Sequence, residues 1–242
     1  MTLYLIGLGL NQQGISKEGL EAIERCKKIY LENYTVDFPY NETELEEEIG
    51  KKFVSVNREF VEGLEIIDEA RKKNVGLMVY GSPLTATTHI TLIQEARASQ
   101  VKCKIIYAPS IFDAVAETGL QLYKFGKVAS MPAWKKSYEP SSFMEIVKQN
   151  KSIGAHSLIL VDIGLDFLDA LKQLKIASKE QEVKLEKIIL CQSLGTKNSK
   201  IFYADVDFFE SFDAVRKPYC IIIPDKLHFV EEEVLKSYER YS

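Results

Sequence analysis

Apolar residues along this chain gather in short uninterrupted runs separated by polar, capped stretches, the pattern of strands buried on both faces alternating with amphipathic helices. Thr2 to Leu8, Lys28 to Leu31, Phe53 to Val56, Val75 to Tyr80 and Cys103 to Tyr107 read as strands. Between them Ser16 caps a helix with Leu20, Ala22 and Ile23 on one stripe, and Asn41 to Ile49 reads as an acidic exposed helix. Asn57 caps a helix carrying Phe60, Val61, Leu64, Ile67 and Ala70, and another helix covers Ile90 to Ala98. Ser110 caps one running through Leu120.

The pattern changes in the second half. Lys127 to Ser130, Ser157 to Asp162, Lys187 to Cys191, Lys200 to Tyr203 and Tyr219 to Ile223 read as strands with less helix between them. Only Phe167 to Leu174 and Glu231 to Tyr238 read as helices there. Strands in closer succession predict a mixed sheet, so the chain is read as two α/β domains, 1–112 and 113–242.

One connection is too long for its place. Val75 to Tyr80 runs into Gly81-Ser82-Pro83-Leu84-Thr85-Ala86-Thr87-Thr88-His89, nine residues where a parallel α/β unit uses about two to six. Gly81 admits unusual backbone angles, Pro83 fixes its own and removes a donor, and small residues leave amides uncovered for a ligand. Thr87 or Thr88 is the expected N-cap of the next helix, which sets the loop at a positive helix end. An ordinary strand-to-helix connection is the plain alternative, and the length weighs against it. No G-x-x-x-x-G-K-[ST] occurs in the chain, and a dinucleotide fingerprint at Gly7 and Gly9 fails because position 12 is Gln. Glu32-Asn33-Tyr34-Thr35 and Ser110 lie at other strand ends, the edge where open α/β sheets bind ligands. Trp134 stands in a loop, as a lid element or as a cover on the core.

Composition narrows the classes. At 242 residues, 46% hydrophobic and 27% charged, the chain has the makings of a soluble globular protein. A net charge of −4 argues against nucleic acid as the main partner. No apolar run approaches membrane-spanning length and no leader pattern opens the chain, so a cytoplasmic protein with no membrane partner is expected. Cys26, Cys103, Cys191 and Cys220 are scattered without metal or redox spacing, and His89, His156 and His228 are too dispersed for a zinc site, so no metal is expected.

Seven blocks, in order from end to end, carry a family resemblance: Leu5-Ile6-Gly7-Leu8-Gly9-Leu10, Glu32-x-Tyr34-Thr35, Arg58-Glu59-x-Val61-Glu62, Gly81-x-Pro83-Leu84-x-Ala86-Thr87-Thr88-His89, Ala108-Pro109-Ser110-Ile111, Leu122-Tyr123-Lys124-Phe125-Gly126 and Lys226-Leu227-His228-x-Val230-Glu231. The chain resembles the archaeal diphthine synthases, a branch of the tetrapyrrole methylase superfamily. The resemblance implies two α/β domains with S-adenosyl-L-methionine in the cleft between them, S-adenosyl-L-homocysteine as product, and a homodimer. It implies N-methylation of the amino group of a 3-amino-3-carboxypropyl chain on a histidine of elongation factor 2, a step toward diphthamide. The cofactor positions it implies are Leu10, Ser82, Thr85, Ser110, Ile111, Val161, Cys191 and His228. Ser82 stands where the family usually has Asp, and Cys191 where a small residue is common.

The reaction needs an amine held in line with the leaving sulfur and a path for its proton. His89, His228 and Glu32 are the candidate bases, His89 equally a fixed structural donor, and no catalytic residue is assigned. Lys124, Lys135, Lys136 and Lys197 are candidates for meeting the substrate carboxylate, against the plain reading of solvated surface lysines. Two other readings stand beside the methyltransferase. A non-catalytic scaffold of the same fold is favoured by Ser82, and a small-molecule tetrapyrrole methylase is disfavoured by Leu10-Asn11-Gln12 where a Gly-rich opening would stand.

Overall fold

The structure, a computed structural model, describes residues 1–212 and 215–240. It divides into two compact units, Met1–Asp113 and Ala114–Ser242. The first is built on β1 (Thr2–Gly7), β2 (Lys28–Glu32), β3 (Val54–Val56), β4 (Val75–Val79) and β5 (Lys102–Ile106), in the order β3-β2-β4-β1-β5 and all parallel. Alternation along each strand feeds two separate cores. Leu3, Leu5, Val75, Leu77 and Val79 pack with Val61, Ile67, Leu92 and Ala96 on one face. Tyr4, Ile6, Leu8, Leu31 and Met78 pack with Ala22, Ile23, Leu45 and Ile49 on the other. Helices on both faces explain the uninterrupted apolar runs of β1, β2 and β4, whereas the edge strands β3 and β5 expose Val54 and Lys102.

The expected caps form at Ser16 and Asn57, whose side chains accept from the amides of Gly19 and Phe60, and Asn41, read as the first helical residue, is a cap as well, accepting from the Glu44 amide. Two expected helices are shorter. The one after Asn57 breaks into Arg58–Glu62 and Glu65–Ala70, because Leu64 takes the left-handed conformation at φ 64°. The one after Ser110 ends as Ile111–Ala114, tightens to a 3₁₀ turn over Val115–Thr118, and stops at Gly119 with φ 83°.

The second unit holds β6 (Ala129–Met131), β7 (Ser157–Val161), β8 (Lys187–Gln192), β9 (Lys200–Asp205) and β10 (Tyr219–Ile223), in the order β6-β7-β10-β8-β9. Only β6 and β7 run parallel; β10 is antiparallel to both its neighbours, as β8 is to β9. The sheet is mixed, as the spacing of the strands predicts. The helix at Phe167 extends to Glu180, and a helix over Ser142–Ser152 has no counterpart in the sequence reading. Both bury residues into a core with Met131, Ile159, Leu190 and Ile221. Trp134 packs half-buried against that core and its Nε1 donates to the Pro140 carbonyl (3.1 Å), so it covers the core of its own unit. Among the described residues no helix is long and apolar enough to cross a membrane.

Candidate functional site

The strand ends of β1, β4 and β5, neighbours in the first sheet, are drawn together by backbone contact. Gly9 and Gly81 exchange hydrogen bonds, N to O at 3.2 Å one way and 2.9 Å the other, which stitches the loop after β1 to the central loop after β4. Gly81 sits at φ 68°, left-handed backbone that a residue with a Cβ adopts only with strain. Gly7 is required by crowding: a Cβ there would lie 2.8 Å from the Gly81 oxygen and 2.9 Å from the Ala108 Cβ. A Cβ on Gly81 would stand 3.7 Å from the Cα of Ser110, so the loop after β5 joins the same cluster.

The expected cofactor positions of the first unit fall on these loops. Leu10 is buried, and its carbonyl accepts from the Tyr80 hydroxyl at 3.0 Å. Ser82 is buried, and its carbonyl closes a turn with the Thr85 amide at 3.0 Å. Among the described residues, the amides of Ser82, Leu84, Ala86 and Thr87 donate to no protein acceptor. The uncovered amides expected of this loop are present. Ser110 is buried at the head of the short helix that Ile111 opens, and both its amide and hydroxyl donate to Asp113 Oδ2, at 2.7 and 3.0 Å. Asp113 is a partner that sequence reasoning missed, although Ser110-x-x-Asp113 is a legible capping pattern. Tyr80 was missed too, and nothing in the local sequence marks its bond to Leu10.

Neither Thr87 nor Thr88 caps the helix Ile90–Ala98. His89 occupies the cap position, with no side-chain cap bond. Thr87 instead donates its hydroxyl to the Pro83 carbonyl (3.2 Å) and accepts from the His89 amide (3.3 Å), holding the loop to itself. His89 is 2% exposed and Glu32 0%, so two of the three candidate bases lie within the protein, while His228 is exposed.

Three expected positions lie in the second unit. Val161 is half-buried at the end of β7, paired with Met131. Cys191 is a core side chain of β8, 1% exposed; its contact with Cys220 and its burial hold the thiol well above the ordinary range and neutral. His228 is exposed and caps the helix Phe229–Ser237, its Nδ1 accepting from the Val230 amide at 3.4 Å. Lys124, a candidate for meeting the substrate carboxylate, is already spent: its ammonium pairs with Glu231 and donates to the Lys226 carbonyl at 2.7 Å.

The free amides of Ser82, Leu84, Ala86 and Thr87 thus lie on a central loop that the loops after β1 and β5 join through close backbone contact at Gly7, Gly9 and Gly81. Comparison with known proteins decides the family, since residues 2–207 match the model for tetrapyrrole (corrin/porphyrin) methylases. The chain belongs to that family. Along its length it is similar to the diphthine synthase of Methanocaldococcus jannaschii, 36% identical over 250 aligned positions and 97% of each chain. It is 41% identical over 163 positions to the diphthine methyl ester synthase of Schizosaccharomyces pombe, covering 66% of this chain and 58% of that one. A crystal structure of a diphthine synthase superposes with a TM-score of 0.90 at 29% identity, covering 99% of this chain and 96% of the other.

Proposed function

We propose that this tetrapyrrole methylase family member is a diphthine synthase, which transfers methyl groups from S-adenosyl-L-methionine to the amino group of the 3-amino-3-carboxypropyl-histidine of elongation factor 2. The observation that carries this reading is similarity over 97% of both chains to a diphthine synthase. The cofactor brings a methyl group on a sulfonium that is its own leaving group. The loops ending β1, β4 and β5 would hold it through Leu10, Ser82, Thr85, Ser110 and Ile111. Val161, Cys191 and His228 are proposed as further cofactor positions on the resemblance alone.

Ser82 offers a hydroxyl where the family usually has a carboxylate. It still accepts a hydrogen bond, without the charge assistance that about doubles such a bond. The protein's remaining task is to orient the amine and exclude water. The amine's proton leaves to solvent on this account, because His89 has one ring nitrogen on the Pro83 carbonyl and the other facing Glu32 and Tyr34. The same reading carries a homodimer and a cytoplasmic location, with neither nucleic acid nor membrane as partner.

The test is incubation of the protein with isotopically labelled S-adenosyl-L-methionine and elongation factor 2 bearing the precursor side chain, read by mass spectrometry of the modified peptide. Methylation stable to alkali is expected, since amine methyl groups survive it. The fungal relative's name places a methyl group in an ester, so alkali-labile label would move the assignment to that chemistry. Cofactor binding without transfer would leave a non-catalytic scaffold, and transfer to a porphyrinoid would make it a small-molecule methylase.

A further inference from the structure

His89 closes the central loop from below and joins it to a second strand end. Its Nδ1 lies 3.0 Å from the Pro83 carbonyl oxygen. A carbonyl only accepts, so Nδ1 carries the hydrogen. Nε2 then faces the Tyr34 hydroxyl at 3.4 Å and Glu32 Oε2 at 3.5 Å. Glu32 is wholly buried, and its two oxygens differ. Oε1 accepts from the amides of Tyr34 and Thr35 (3.3 and 3.0 Å) and from the Thr35 hydroxyl (2.6 Å), whereas Oε2 has no hydrogen-bond partner. Burial, reinforced by the Glu32 charge, pushes the Tyr34 phenol up to about 12, so it remains a hydroxyl; the Arg58 guanidinium lies over its ring. β2 and β4 are neighbours in the sheet, and His89 ties their carboxyl-end loops to each other beside Tyr80, whose ring packs against Phe38 and Tyr40.

The geometry points to His89 as a positioning residue: its Nδ1–H clamps the Pro83 carbonyl and sets the pose in which the amides of Ser82, Leu84, Ala86 and Thr87 are left free for the cofactor. The ring's other nitrogen, an acceptor in this tautomer, takes the Tyr34 hydroxyl's hydrogen, which fixes the direction in which the Nδ1 hydrogen points. Buried imidazoles are oriented this way generally, by the bond at the far nitrogen. The inference rests on the cofactor reading of these loops.

Two substitutions separate the two ring nitrogens. His89→Asn keeps an amide donor near the Nδ1 position and gives up the contact with Glu32 and Tyr34; His89→Gln reaches toward the Nε2 position and gives up Pro83. Calorimetric titration with S-adenosyl-L-homocysteine is expected to find His89→Asn within about threefold of the natural protein and His89→Gln weaker by about tenfold, the scale of one lost hydrogen bond. A merely structural role would lower the melting temperature of both and leave their affinities alike, and that outcome, or the reverse order, overturns the inference. A measurement on the unaltered protein stands beside it, should either variant fail to fold. Long-range ¹H–¹⁵N NMR of the imidazoles is expected to show Nδ1–H on His89 and Nε2–H on His156, whose Nδ1 accepts from the Asp225 amide at 3.0 Å. A bare Nδ1 on His89 overturns the inference. If the natural protein binds neither cofactor form, the cofactor reading fails, while the tautomer still decides whether the clamp exists.

Discussion

Each unit of this protein buries one histidine against one glutamate, and the two pairs are satisfied very differently. In the second unit Glu231 has every acceptor occupied: Oε1 by the Gln121 amide (2.9 Å) and His156 Nε2 (3.2 Å), Oε2 by the His228 amide (2.7 Å) and Lys124. Burial works to raise the carboxyl, but these donors outweigh it and hold it at about 2. In the first unit Glu32 crowds three donors onto one oxygen and leaves the other facing His89 at a distance too long to bond. A saturated network fixes one arrangement, here the turn at Gln121 against the helix Phe229–Ser237. A half-satisfied one, at the strand edge proposed to hold the cofactor, is where function departs from best packing.

The contrast can be broken from either side. Glu231→Ala has the largest expected effect, a loss of about 3–5 kcal/mol, because it strands a partly buried ammonium and two backbone amides. Urea unfolding measures it, and a loss below 1 kcal/mol would deny that this pair is structural. Acid should expose the same network. The Glu231 carboxyl is held below its unfolded value of about 4.3, so the unfolded state binds more protons between the two values and the contribution, full above the unfolded value, fades as pH falls toward 2. His156 is lowered, first by burial against the opposing pull of Glu231. Its lowering adds a loss of stability that begins as pH falls through its unfolded value of about 6.5. Urea midpoints measured from pH 7 to pH 2 should therefore decline in two stages, and a flat profile contradicts the assignment.

Gly7→Ala tests the first unit's loop cluster. The added methyl meets the Gly81 oxygen and the Ala108 Cβ at contact too close to keep, so a loss of about 1–3 kcal/mol in stability is expected. Cofactor affinity should fall with it as the three loops are pushed apart. Ser82→Asp is the smallest change and sharpens the reading of that loop: calorimetry should find cofactor affinity held or raised, since the family's usual residue is restored. Weaker binding by a folded variant would remove Ser82 from the cofactor.

Much of this was legible in the chain. Runs such as Val75 to Val79 announced strands because a doubly covered parallel sheet leaves no polar position in them, and Ser16, Asn41 and Asn57 announced helix starts because short polar side chains satisfy the first amides. The helix Ser142–Ser152 was hidden by Asn150, which sits buried on its apolar face and bonds to both backbone groups of Lys127 and to Ser157 Oγ. That polar residue is satisfied by groups outside its own helix, at Lys127 and Ser157. The break at Leu64 has a similar cause, a left-handed residue imposed by packing with no glycine at that position to signal it. At the candidate site the strand-end loops were visible as an excess of small residues. Their mutual contact through Gly7, Gly9 and Gly81 was not, because it depends on β1 lying between β4 and β5.

Hydrogen–deuterium exchange with and without S-adenosyl-L-homocysteine tests the central claim most directly, since it asks which backbone amides the cofactor covers. New protection is expected in the loops after β1, β4 and β5, strongest at Ser82, Leu84, Ala86 and Thr87, whose amides are otherwise free, and no change at Gln121, whose amide Glu231 already holds. Saturating ligand that leaves residues 81–88 exchanging as before would contradict it.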